Sequence, residues 1–147
     1  MISGFSDEVI KQASKDAKRL LSKDLQRAIR IYKSAGSVSS PSTDGMTKCS
    51  HRGNSSEDMM LLVSECRQLI HDISSALSML NADEFQALQE FYIHGKTATW
   101  IAQALCVSHT QIYRILNRGI DQFIDYYRSG ELLVIAKHKL EEAKQPA

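Results

Sequence analysis

Apolar residues recur at helical spacing along several stretches of the chain, separated by polar or glycine-containing gaps. Over residues 7–34, Ile10, Ala13, Ala17, Leu20, Leu21, Leu25, Ala28, Ile29 and Tyr32 are interleaved with Lys and Arg, which predicts an amphipathic N-terminal helix within residues 1–34. From Ala35 to Ser56 the composition turns to Ser, Thr, Gly, Pro and Asn. With hardly any large apolar group, that stretch cannot bury enough surface to offset its ordering entropy, and a flexible linker is expected over 35–56. A long helix is expected over about 57–80, with Ser55 or Ser56 as its cap and Glu57 and Asp58 complementing its dipole. Met59, Leu62, Cys66, Leu69, Ile73, Ala76 and Leu80 fall at alternating steps of three and four, the spacing of a coiled-coil seam. Val63, Ile70 and Leu77 widen that stripe, so pairing with a second chain and packing on helices of the same chain fit it equally.

Asn81 next stands where a helix over about 82–94 would be capped, with Glu84 at the third helical position completing a capping box. Phe85, Leu88, Phe91 and Tyr92 form its expected buried face, and Gly95 its end. The segment Ala98 to Asn117, ATWIAQALCVSHTQIYRILN, then has the pattern of a helix-turn-helix. Ile101, Leu105, Val107, Ile112 and Ile115 fall where the two helices must bury side chains. Ala102 stands where the crossing admits only a small residue, and Ser108 where a hydroxyl can cap the second helix. Cys106 occupies the position opening the turn, which is often glycine, so some strain or a modified turn is expected there. Trp100 is expected to be a packing residue.

A helix-turn-helix serves recognition because its second helix stands proud and fits a major groove about 12 Å wide. The outward set here is His109, Thr110, Gln111, Tyr113, Arg114, Asn117 and Arg118, and no Asp or Glu occurs between Phe91 and Ile120. Arg114 suits bidentate bonding to guanine, and Gln111 or Asn117 to adenine. Lys96, Thr97, Thr99 and Arg118 are better placed for phosphates, and Ser108 completes the candidate double-stranded DNA contacts. The plain alternative is a three-helix bundle whose outward polar residues are merely solvated.

Past this segment, Phe123, Ile124, Tyr126 and Tyr127 extend an apolar, aromatic surface, and the motif-bearing domain is drawn over 57–128. A final helix, Glu131 to Lys144 within a 129–147 extension, carries Leu132, Leu133, Ile135, Ala136 and Leu140. A small helix-turn-helix domain leaves that tail no core to join, so covering a subunit interface and folding back on the 57–80 helix are both open. The whole reads as all-α.

Composition narrows the function classes. With 147 residues, 43% hydrophobic and 24% charged, the chain suits one modest folded domain with appendages and not a disordered segment. No apolar run approaches the roughly 18 residues of a membrane span, and Asp7 and Glu8 stand where a secretory signal would be apolar, so no membrane association and a cytoplasmic location are expected. Cys49, Cys66 and Cys106 are odd in number, widely spaced and read as reduced thiols. His51, His71, His94, His109 and His138 are scattered without ligand-spaced partners, so neither a metal site nor a cofactor is expected. No nucleophile elbow or phosphate-binding glycine loop is present, which argues against an enzyme. The net charge of +1 hides an uneven distribution: residues 1–36 hold eight Lys or Arg against four acids. That face is compatible with simple solvation and with DNA contact.

The segment LNADEFQALQEFYIHGKTATWIAQALCVSHTQIYRILNRGIDQF resembles region 4 of the sigma-70 factors and the phage regulators built on it. The linker SPSTDGMTKCSHRGNSSED, followed by a long helix, is similar to that of the ArpU (autolysin regulatory protein) and RinA family of phage late-gene transcriptional regulators, with Thr47 where that family carries proline. The resemblance covers roughly residues 20–128. It implies a sequence-specific DNA-binding regulator that activates late packaging and lysis genes in a bacterial host cell, with no cofactor. A sigma-like domain also implies RNA polymerase as a further partner. A homodimer would present two recognition helices to half-sites about one DNA turn apart. Two rival readings are the DNA-recognition small subunit of a phage packaging terminase and a helical protein-interaction module.

Overall fold

Ser6 opens the first helix, its hydroxyl accepting the Val9 N–H at 3.4 Å, with Asp7 and Glu8 in the first turn where the helix dipole favours acids. The computed structural model describes residues 5–38 and 53–144, and among these it is all-helical, with no strand. Helix α1 (Asp7–Arg19) passes through a π turn (Leu20–Asp24) into α2 (Leu25–Val38). Then follow α3 (Gly53–Ser78), α4 (Ala82–Leu88) with a second π turn (Gln89–Ile93), α5 (Ala98–Leu105), α6 (His109–Tyr126), a 3-10 turn (Tyr127–Gly130) and α7 (Glu131–Lys144).

The expected N-terminal helix is present and runs four residues beyond its expected end. Residues 39–52, the middle of the expected linker, and with them Cys49 and His51, lie outside the described residues. The long helix begins at Gly53, before the serines expected to cap it. Extending an existing helix by a turn fixes few further residues per hydrogen bond, so its end is weakly set by sequence.

Helix α6 is the centre of the packing. Ile112, Ile115, Leu116, Gly119, Ile120, Phe123 and Ile124 form its buried face, and it meets α1, α3, α4, α5 and α7. Each of the larger side chains contributes about 1.5–3 kcal/mol by leaving water. Gly119 matters for closeness: a Cβ there would lie 3.1 Å from Leu88 Cγ, so alanine would require the Leu88 side chain to give by a few tenths of an ångström. Phe123 and Tyr127, expected on an open surface, are buried and stacked with ring centroids 5.6 Å apart, while Tyr126 stays exposed. Burial pushes the Tyr127 phenol up to about 12.

The C-terminal helix does find a core. Leu132 and Ala136 are buried in the same cluster as Val9, Ala13, Ala17 and Leu21, because α7 packs along α1. Within the chain, the N-terminal helix and not the 57–80 helix supplies the partner face. The chain reaches that position through Arg128, Ser129 and Gly130, all with positive φ (48°, 54° and 87°). Arg128 fixes the bend, Nε donating to Asp72 Oδ2 at 2.7 Å and Nη1 to Glu131 Oε2 at 3.1 Å.

The seam of α3 divides in two. Cys66, Ile73, Ala76, Leu77 and Leu80 are buried, where α3 runs along α2. Met59, Met60, Leu61 and Leu62 are exposed, by 65%, 72%, 60% and 46%. In α4 the buried positions are Glu84, Ala87 and Leu88; Phe85, expected in the core, lies about 100° around the helix from Glu84 and is exposed.

Candidate nucleic-acid interface

The segment in which a helix-turn-helix was expected forms α5, a turn over 106–108, and α6. Thr97 caps α5, its Oγ1 accepting the Trp100 N–H at 3.1 Å, and Ser108 caps α6, accepting the Gln111 N–H at 3.1 Å. Both hydroxyls satisfy helix-end donors that would otherwise face water. Between the helices Cys106 takes the left-handed conformation (φ 58°, ψ 45°), and the Val107 N–H reaches back to the Ala102 carbonyl at 2.9 Å. A glycine-type conformation is thus held by a residue with a Cβ, as its place in the sequence suggested. Ile101, Ala102, Ile112 and Ile115 are buried, and Leu105 and Val107 half-buried against the core, as their register requires.

The outward residues are brought together on the first half of α6. His109, Thr110, Tyr113, Arg114 and Asn117 are exposed, Gln111 is half-buried, and the His109 and Tyr113 rings meet edge to face at 5.2 Å. Lys96, Thr97 and Thr99 are exposed around the start of α5, beyond Gly95 (φ 71°), which ends the preceding helix as expected. Trp100 departs from the packing expectation. It is 43% exposed, and the Lys96 ammonium sits 4.8 Å from its ring centroid in a cation–π contact.

Arg118 is placed differently from its neighbours. Its Nε donates to Glu84 Oε2 at 2.7 Å, and the Glu84 side chain is 1% exposed, whereas Arg118 remains about half exposed. The expected capping box is therefore absent: the Asn81 side chain makes no cap bond, and Glu84 turns across to α6. A guanidinium offers a stronger, charge-assisted partner than a backbone N–H, which explains the choice. Glu84 Oε1 is buried without a hydrogen-bond partner, so this carboxylate depends on Arg118 alone. Sequence reasoning missed the pair; its signal was a glutamate on the same helical face as Ala87 and Leu88.

Further along α6 the acids resume at Asp121 and Asp125. Burial, and then the Asp121 charge, raise the Asp125 carboxyl above its ordinary value. The carboxylate-free outer surface thus ends one turn after Arg118. Among the described residues no group of three or more His, Cys, Asp or Glu gathers, Cys66 is buried and Cys106 exposed as free thiols, and no helix is long and apolar enough to cross a membrane.

In comparisons with known proteins, no family model, no curated protein and no solved structure matches the chain.

Proposed function

We propose that the chain is a sequence-specific, double-stranded-DNA-binding regulator of transcription. In this reading α5 and α6 form a helix-turn-helix similar to sigma-70 region 4, and the regulated genes are the late packaging and lysis genes of a phage. The observation that carries it is the outer face of α6 from His109 to Asn117: exposed, free of carboxylates, rich in groups that bond base edges, and raised on a capped turn. In this reading Tyr113, Arg114 and Asn117 enter the major groove, and Lys96, Thr97 and Thr99 meet the backbone phosphates alongside. No catalytic step and no cofactor is involved, and RNA polymerase is the partner through which a bound activator would act.

A second copy of the chain is part of the proposal. The exposed run Met59, Met60, Leu61 and Leu62 continues the α3 seam beyond the part covered by α2, and a homodimer would bury it. Light scattering of the purified protein tests this. A dimer supports it; a ring of eight or more subunits would favour a packaging-terminase subunit instead.

The functional test is to mix the protein with sheared phage and host DNA at moderate salt, recover the bound fragments and sequence them. Enrichment of one or a few sites upstream of an operon is expected. On the recovered site, Arg114→Ala should weaken binding by about 1–3 kcal/mol and relax preference at one base pair. Failure to bind any DNA at low salt would overturn the proposal in favour of a protein-interaction module.

A further inference from the structure

The cations of the N-terminal helix form a continuous stripe, and the π turn is what keeps it continuous. Lys11, Lys15 and Lys18 are spaced by four and three residues, as are Lys23, Arg27, Arg30 and Lys33, but the step from Lys18 to Lys23 is five. In an unbroken α-helix that step would rotate the second group by about 100° away from the first. The π turn Leu20–Asp24, where the Leu25 N–H bonds back to the Leu20 carbonyl, absorbs one residue between them. All seven side chains then fall within about 60° of one line, and all seven are exposed. The same inserted residue keeps Val9, Ala13, Ala17 and Leu21 in line with Leu25 and Ala28 on the buried side.

Two acids of this helix pair with α7: Glu8 lies 3.8 Å from Lys144 Nζ and Asp16 3.2 Å from Lys139 Nζ. Asp24 lines both a crevice against α7 and a cleft with Lys23, Arg27 and Arg30, and Asp7 stands in the first turn, at the end of the stripe. Among the described residues, none of the seven cations has a carboxylate within ion-pair distance. The stripe also adjoins the candidate interface. Lys18 and Ser14 line a cleft shared with Asn117, Arg118 and Asp121 of α6, so three polar or cationic side chains and one carboxylate meet there beside Lys18. Eight residues on, Gln26 Nε2 donates to the Ile93 carbonyl at 2.8 Å, tying α2 to the segment that leads into Lys96 and Thr97.

We propose that this stripe is a second contact surface for double-stranded DNA, one that follows the phosphates of the duplex flanking the α6 footprint. It rests on the DNA-binding reading above and adds to it a sequence-independent part of the site. From Lys11 to Lys33 the stripe is about 33 Å long, close to one turn of B-DNA. Regularly spaced cations with no carboxylate within ion-pair distance suit a phosphate backbone, whose neutralisation releases counterions and needs no sequence. Lys18, beside Asn117 and Arg118, is where the two contact surfaces join.

The test compares the wild-type chain with a Lys18→Gln/Lys23→Gln/Arg27→Gln/Arg30→Gln variant, on the recovered site as a minimal duplex and as one extended by about a turn on each side. All four side chains are exposed, so the variant should keep the wild-type unfolding midpoint, which is checked first. The wild type should gain tenfold or more in affinity from the longer duplex, and the variant should lose most of that gain. The dependence of log K on log salt should flatten by about 0.9 for each contact removed, equally on specific and unrelated DNA. A variant that retains site binding, length gain and salt dependence would overturn this inference while leaving the regulator reading intact, and would leave the basic face as a solvated surface. A wild-type chain that binds neither duplex would overturn both.

Discussion

The two ends of α6 solve opposite problems with the same helix. At its start, His109, Thr110, Tyr113 and Arg114 project from a turn whose fixed points are the Ser108 cap and the left-handed Cys106. At its far end Arg118 is tied to Glu84, Gly119 lies against Leu88, Phe123 stacks on Tyr127, and Arg128 bonds Asp72 and Glu131. The contrast teaches that exposure of a cation does not define its role. Arg114 and Arg118 are one helical turn apart and both exposed, yet only Arg118 has a buried partner.

The largest expected effect breaks that contrast directly. Arg118→Ala removes the one hydrogen-bond partner of the Glu84 carboxylate and, with the guanidinium half exposed, should destabilise the fold by about 1–3 kcal/mol in denaturant unfolding. Arg114→Ala, which strands nothing, should change stability by less than about 0.5 kcal/mol. Adding Glu84→Gln to Arg118→Ala removes the buried charge and should recover much of the loss, giving a coupling that separate effects would not show. If the two single alanine variants unfold alike, Arg118 is a surface residue and the far end of α6 is held by apolar packing alone.

A smaller effect sharpens the other end. Cys106 adopts a backbone conformation that costs a residue with a Cβ about 1 kcal/mol relative to glycine. Its side chain is exposed, so Cys106→Gly sacrifices little packing, and the relief is partly offset by the greater freedom of glycine in the unfolded chain. The variant should match or exceed wild-type stability by up to about 1 kcal/mol. A clear loss would mean that the thiol makes a contact the turn depends on.

The readability of the chain follows the same division. Helix positions, the buried register of Ile101, Ala102, Ile112 and Ile115, and the cap at Ser108 are local matters of periodicity and end chemistry, and they could be read from spacing; the Thr97 cap is equally local but went unread, because Thr97 was assigned to a phosphate. What escaped was non-local or phase-shifting. Glu84 and Arg118 are 34 residues apart, and nothing in a capping-box pattern says that a distant guanidinium will compete for the carboxylate. The α7 tail looked coreless because its partner, α1, lies at the opposite end of the sequence. The π turns add one residue each to otherwise regular helices; the irregular step from Lys18 to Lys23 was the available trace. Phe85 and Trp100 show that an aromatic side chain is a weak guide to burial when its helix already has small apolar residues facing the core.

The smallest expected effect concerns the bend after α6, where pH separates the ion pair from the packing. The hydrogen bond from Arg128, against a smaller opposing effect of burial, holds the Asp72 carboxyl below its ordinary value of 3.8. A carboxyl whose folded value is lowered contributes stability that is complete above the unfolded value and is lost as pH falls through the folded one. Both partners are partly solvated, so the contribution should be no more than about 1 kcal/mol. Asp125, with its value raised by burial and by Asp121, works in the opposite sense and is relieved on acidification, so the pH dependence of the wild type alone is a mixture. Comparison with Asp72→Asn cancels Asp125, which is common to both proteins, and isolates the Asp72 charge with its partners Arg128, Gln68 and His71. The wild type should be the more stable near neutrality, and the difference should shrink as pH falls below 3.8 and through the lower folded value of the carboxyl. A gap that persists unchanged at acid pH would mean that Asp72 supports the Arg128 bend by shape and not by charge.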